Sequence, residues 1–207
     1  MGGGIRSVVG SVAKADFGVL LLASLGRLRY SESMIGRPEN REAATYYFTY
    51  INQIGSGDIV AILEQQLYET AALFSSISDG ASLYRYAPDK WSLRQVLSHV
   101  TDTERMFAFR ALWFARGFEA PLPGFDQNVG VAGANADAIP WGAHVEEFRQ
   151  VRRATYLFFR NLSGDAWMRT GTADGNQFTV RALSYISAGH FAHHVANLRE
   201  RYLPGRL

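Results

Sequence analysis

The sequence predicts an all-α protein built as a four-helix bundle. In four segments apolar residues recur at three- and four-residue steps, which lines them along one helical face. Each segment opens on a residue suited to a helix start: Asp58, Ser92, Pro140 and Thr179. No segment sustains the two-residue alternation of a half-buried strand. With 207 residues, 47% of them apolar, the chain can bury a core of ordinary size.

The first of the four helices follows Asp58 and carries Ile59, Ile62, Leu63, Leu67, Phe74 and Ile77 on its inner face, until Asp79-Gly80 ends it. LYRYAPDK is then a loop, broken by Pro88. At the second helix, Ser92 with Gln95 three residues on forms a capping box. Val96, His99, Thr103, Met106, Arg110 and Trp113 follow one stripe, and Gly117 with APLPGFD stops it. Residues 118–140 read as a long connection rich in Gly, Ala, Asn and Pro, of the kind that serves as a lid or specificity element. The third helix spans Pro140 to Leu162. Val145, Phe148, Thr155, Phe158 and Leu162 are its buried side, and Glu146, Glu147, Arg149, Arg152 and Arg153 are expected on the surface. TGTADGNQ is a turn-rich loop, and the fourth helix runs from the Thr179 cap to about Tyr202, before Pro204-Gly205.

Composition excludes several classes of function. Lys and Arg number 21 against 19 Asp and Glu, with no basic stripe, so nucleic acid is not an expected partner. The longest apolar run, Phe17 to Leu25, is far too short to span a bilayer, and its flanks are poor for a signal peptide. Cysteine is absent, which removes disulfides, thiolate ligands and a cysteine nucleophile, and fits a reducing cytoplasm. A homodimer is the default expectation for oligomeric state.

The chemistry concentrates in histidine. Three of the five histidines, His190, His193 and His194, lie within GHFAHHVANLRERY. On a stripe of Val180, Leu183, Ser187, His190, His194, Asn197 and Arg201, one face changes from apolar to polar at His190. His190 and His194 are four residues apart, one above the other, and can grip a single ion. His193 sits about 100 degrees round from His194 and reads as a flank group, although His190 and His193 are also close enough to pair. His99 lies on the inward stripe of the second helix, where a buried imidazole needs a partner for each nitrogen. Alone it reads as a hydrogen-bonded core residue; with the pair it makes a three-histidine metal site in a bundle core. His144, near a helix start, is expected to be exposed. Trp91, Phe107, Trp113 and Phe125 read as core aromatics or as pocket lining.

The run APDKWSLRQVLSHVTDTERMFAFRALWFARG resembles the signature of the DinB-like (DinB/YfiT) family, in which Trp-Ser opens a helix carrying the first metal histidine. FTVRALSYISAGHFAHHVANLRERY resembles the family's closing helix, with its H-x-x-x-H, and PLPGFDQNVG and EEFRQVRRATYLFF are similar to the stretches between. The resemblance covers residues 34–203. It implies a four-helix bundle with a long crossover connection, holding one divalent ion, zinc or nickel, on His99, His190 and His194. Met34 resembles a usual family start, so residues 1–33 are expected to be an appended or mis-started leader, with a short helix over Lys14 to Arg29, and 34–207 the bundle domain.

An open three-histidine shell leans toward catalysis rather than structure. The resemblance implies relatives that use low-molecular-weight thiols such as bacillithiol or mycothiol. The leading expectation is therefore a metal-dependent transferase activating such a thiol for attack on an electrophile. A hydrolase using metal-activated water, and a non-catalytic metal-binding module, stay open beside it. Asp102, one turn from His99, is a candidate to orient a ligand ring, and Glu104 points away and is expected to pair with a base. Arg201 is a candidate to hold an anionic group of the thiol, or a charge at the end of its helix.

Overall fold

Local signals start the helices where the sequence puts them. A computed structural model describes Met1 and residues 35–203 of the chain. The readings of residues 1–33, and of Pro204-Gly205 as a stop, fall outside the described residues. A one-turn helix, α1 (Phe48–Ile51), precedes α2 (Ile59–Ser75), α3 (Leu93–Ala115), α4 (Gln127–Ala134), α5 (Trp141–Arg160) and α6 (Val180–Asn197). Asp58 accepts from the Val60 N–H at the start of α2. Ser92 and Gln95 form the reciprocal capping box of α3, and Thr179 accepts from the Ala182 N–H at α6. Each such cap satisfies a backbone donor that would otherwise be orphaned, worth about 1 kcal/mol.

The bundle consists of α2, α3, α5 and α6. α3 packs on α5 and α6, and so does α2, so that α2 and α3 stand diagonally, as do α5 and α6. The two chain-adjacent pairs are thus joined across the bundle rather than along its side. One apolar cluster includes Leu63, Phe107, Phe114, Phe159 and Leu183. A second includes Phe74, Leu97, Trp141, Phe148 and Phe191, with Trp91 packed against it. Among the described residues no helix is long and apolar enough to cross a membrane.

Four expectations need correction. The connection over 118–140 is not all loop. It contains α4, capped by the Asp126 carboxylate, and ends in a 3-10 turn over Ala136–Ala138. TGTADGNQ contributes to a β-hairpin, β1 (Thr170–Ala173) with β2 (Asn176–Thr179), paired Thr170 to Thr179. Its turn residues Asp174 and Gly175 have φ of 52° and 70°, the left-handed pair that a tight hairpin turn demands and that Asp-Gly supplies. Two short strands are too brief to leave an alternation signal. Arg152, expected on the surface, is fully buried, and so is His144, whose Nε2 lies 2.9 Å from the Ala136 carbonyl under the 3-10 turn.

The fourth helix also differs from a one-sided stripe. From Ala182 to Phe191 every residue of α6 is buried. A helix apolar and small all round is a core helix, enclosed on all sides. α1 crosses it at Gly189, where an added Cβ would lie 2.0 Å from the carbonyl oxygen of Tyr50. Glycine lets the two backbones approach that closely.

Candidate metal centre

His99 sits two turns into α3, and His190 and His194 near the end of α6, on helices that pack against each other. Their rings converge. Nε2 of His99 lies 3.2 Å from Nε2 of His190, and Nε2 of His194 lies 3.1 Å from the same atom. The three rings form a group whose donor atoms all fall within 4.8 Å of one another, and no carboxylate joins it among the described residues. Their separations suit donors about 2.0–2.1 Å from a shared ion, which stand roughly 3 Å apart.

Burial sets the protonation of the group. It pulls His99 down to about 4. His194 falls to about 3, through burial first and then the neighbouring His99 and His193. His190 is held well below the ordinary histidine value by burial, with His194, His99, His193 and Arg152 adding to the effect. At neutral pH all three rings are uncharged, the form in which imidazole binds metal.

That arrangement leaves nitrogens unsatisfied. A neutral imidazole carries one N–H and one lone pair. Thr103 Oγ1 lies 3.3 Å from Nδ1 of His99. With Nδ1–H donating there, the Nε2 of His99 is a bare acceptor. The Nε2 of His190 faces two other ring nitrogens at once, and one atom with one lone pair or one hydrogen cannot serve both. A cation at the convergence point satisfies all three rings together.

The walls are aromatic. Trp91 packs on His99 at 5.1 Å between centroids, Tyr50 meets His190 edge-on at 5.2 Å, and Phe107 lies 6.0 Å from His190. Tyr50 also touches exposed His193 at 5.7 Å. Of the four aromatics considered from sequence, Trp91 and Phe107 thus reach the histidines. Trp113 instead stacks on Phe118 at 4.2 Å, and Phe125 lies beneath Gly130.

The charged candidates are dispersed. Asp102 does not approach His99; it accepts from Arg105, which also reaches Glu147 of α5 at the surface. The group at Nδ1 of His99 is Thr103, because i+4 on a helix lies more nearly above a side chain than i+3 does. Glu104 faces away from the rings and pairs with a base, Arg152, at 2.7 Å, but inside the bundle rather than in solvent. Arg201 lies on a π-helical turn, Leu198–Tyr202, with its guanidinium over the ring of Tyr86 at 5.5 Å. Sequence reasoning missed Thr103 as a partner of His99, although its spacing of four on the same stripe was a usable signal. It also missed Tyr50, for which the only hint is the small pair Ala188-Gly189 ahead of His190.

A family model described as the DinB superfamily matches residues 62–198. No curated protein sequence matches the chain. Among solved structures the fold is similar to that of YfiT from Bacillus subtilis, described as "a probable metal-dependent hydrolase with an unusual four-helix bundle topology". The TM-score is 0.62 and the identity 15%, over 80% of this chain and 90% of that one. It is also similar to a mycothiol-dependent maleylpyruvate isomerase, with a TM-score of 0.57 and 13% identity over 74% of this chain and 62% of that one.

Proposed function

The chain belongs to the DinB superfamily, and from that premise we propose that it is a metal-dependent transferase whose His99, His190 and His194 hold one divalent ion through Nε2. The ion, zinc or nickel by the donor set, activates a low-molecular-weight thiol for attack on an electrophile. The observation that carries this reading is the convergence of three neutral rings on one point, where the Nε2 of His190 can pair with only one of its two neighbouring rings.

Bound there, a divalent ion supplies a positive charge that lowers the pKa of a thiol brought to it. The chain's own residues do the rest. Three histidines occupy three positions and leave the shell open, whereas structural zinc sites are closed by four protein ligands. Thr103 holds the ring of His99 by its far nitrogen. Trp91, Tyr50 and Phe107 pack on the rings of His99 and His190 and shield that side of the cluster. No carboxylate joins the cluster among the described residues, so the ion itself would acidify whatever ligand takes the open position.

A hydrolase is the second reading. What favours it is the likeness to YfiT, which covers more of both chains than the likeness to the isomerase does. The test is elemental analysis of the purified protein, followed by thiol titration of its cobalt form. Monochlorobimane conjugation with bacillithiol, mycothiol, glutathione and coenzyme A, and ester hydrolysis, are then assayed in parallel. The transferase reading expects a thiol-induced change in the cobalt spectrum and accelerated conjugation. Hydrolysis without any thiol response moves the assignment to the hydrolase. A site that ignores every thiol and anion sinks both.

A further inference from the structure

Behind the histidines a buried polar network touches all four bundle helices. Arg152 of α5 is fully buried, and its Nη2 lies 2.7 Å from Oε2 of Glu104 on α3. Its Nη1 donates to Oε1 of Gln66 on α2 at 2.7 Å. The Gln66 amide in turn donates to the carbonyl of Ala188 on α6 at 3.0 Å. The guanidinium also lies over the ring of Phe191 at 4.9 Å, and Phe191 stacks on Phe148 at 5.2 Å. Ala188 and Phe191 bracket His190, and Glu104 follows Thr103, the partner of His99.

We propose that Gln66, Glu104 and Arg152 are positioning residues that set the height of His190 and His194 on α6 against His99 on α3. The inference rests on the metal-binding reading of those histidines.

The physical case begins with α6. Ten consecutive buried residues, most of them small or apolar, give it no single apolar stripe. Apolar packing is non-directional, so such a helix is poorly fixed against sliding or turning by packing alone. A directional bond to one of its carbonyls supplies what packing lacks. Gln66 makes that bond, and Gln66 is itself oriented by Arg152, which Glu104 ties to α3. Burying an ion pair costs several kcal/mol in desolvation, and well-packed apolar residues are often as stable in its place. Placement of α6 is what the pair contributes that an apolar pair would not.

The test uses the full chain in its cobalt form. Gln66→Met keeps side-chain length, places no charge inside and removes both bonds. Gln66→Glu keeps the acceptor for Arg152, replaces the donor to Ala188 with a second oxygen and adds a buried charge. Arg152→Met and Arg152→Lys complete the set, with exposed Gln65→Ala as control. Helical circular dichroism verifies the fold, chelator competition gives the metal Kd, and the visible spectrum reports ligand geometry. Expected are at least a 10-fold weaker Kd and an altered spectrum for both Gln66 variants and Arg152→Met, the range seen when outer partners of metal ligands are removed. Arg152→Lys is expected to recover part of both, and Gln65→Ala to match the wild type. Folded Gln66 variants with a wild-type spectrum and a Kd within threefold would overturn the inference, even if they melt lower. A wild type that takes up no cobalt overturns the metal reading itself, and this inference with it.

Discussion

Oγ1 of Thr103 lies 3.3 Å from Nδ1 of His99, one helical turn further along α3. Accepting from Nδ1–H, the hydroxyl would hold the ring's rotation and keep Nε2 free for the ion. Thr103→Val has the same shape without the acceptor. Metal affinity is expected to fall about 10-fold, while the melting temperature of the metal-free protein changes little. Chelator competition and a thermal melt check it. Unchanged affinity would mean that helix packing alone orients the ring.

The adjacent histidines of α6 are expected to behave as ligand and bystander. His194 is half-buried with its Nε2 3.1 Å from that of His190, and His193 is exposed against Tyr50. His194→Ala should weaken metal binding by more than the roughly 10- to 100-fold typical of losing an outer partner. His193→Ala should leave it within a few-fold. Calorimetric titration with zinc reads both; the reverse order would reassign the pair.

Gly189 marks the contact that brings Tyr50 to the histidines. A Cβ there meets the Tyr50 carbonyl oxygen at 2.0 Å, and backbone cannot rotate away as a side chain can. Gly189→Ala is therefore expected to destabilise by about 1–3 kcal/mol, as overpacking does. It should also open the site by pushing α1 off α6. Denaturant unfolding measures the first, and faster exchange of the amides near Tyr50 the second. A variant as stable as the wild type would show that α1 yields freely.

Glu42 carries a pH signature. Burial raises its pKa, but the Arg181 side chain, the Glu39 N–H and the Thr179 hydroxyl outweigh it, leaving the carboxyl below its ordinary 4.5. A depressed folded pKa means that the unfolded chain binds the proton more tightly. The stabilisation is complete above about pH 4.5 and is lost as pH falls through the lower folded value. Glu42→Gln should cost roughly 1–3 kcal/mol at pH 7, the worth of hydrogen bonds to a charged group. The gap should close on acidification below pH 4.5. Denaturant melts from pH 7 to 3 follow it, and a gap independent of pH would remove the charge from the account.

Local chemistry made much of the fold legible. The caps at Asp58, Ser92 and Thr179 each act within four residues of chain, so adjacency reveals them. The hairpin and α4 leave no periodic signal, because four-residue strands and an eight-residue helix are too short for one to register. The burial of Arg152 is invisible locally, because a charge is buried only when partners on other helices receive it. Those partners, Glu104 and Gln66, lie 48 and 86 positions away. The burial of His144 is hidden for the same reason, since its partner, the Ala136 carbonyl, belongs to the connection before α5.

By itself the sequence determined four helices, their starting points, and the one-turn spacing of His190 and His194, since all of these follow from interactions within a few residues. It also placed His99 on an inward face. Only the tertiary structure decided that His99 meets that pair, that Thr103 rather than Asp102 holds its ring, and that a buried arginine joins the four helices. Those relations depend on how helices with non-directional apolar surfaces settle against one another, which no stretch of a single helix encodes.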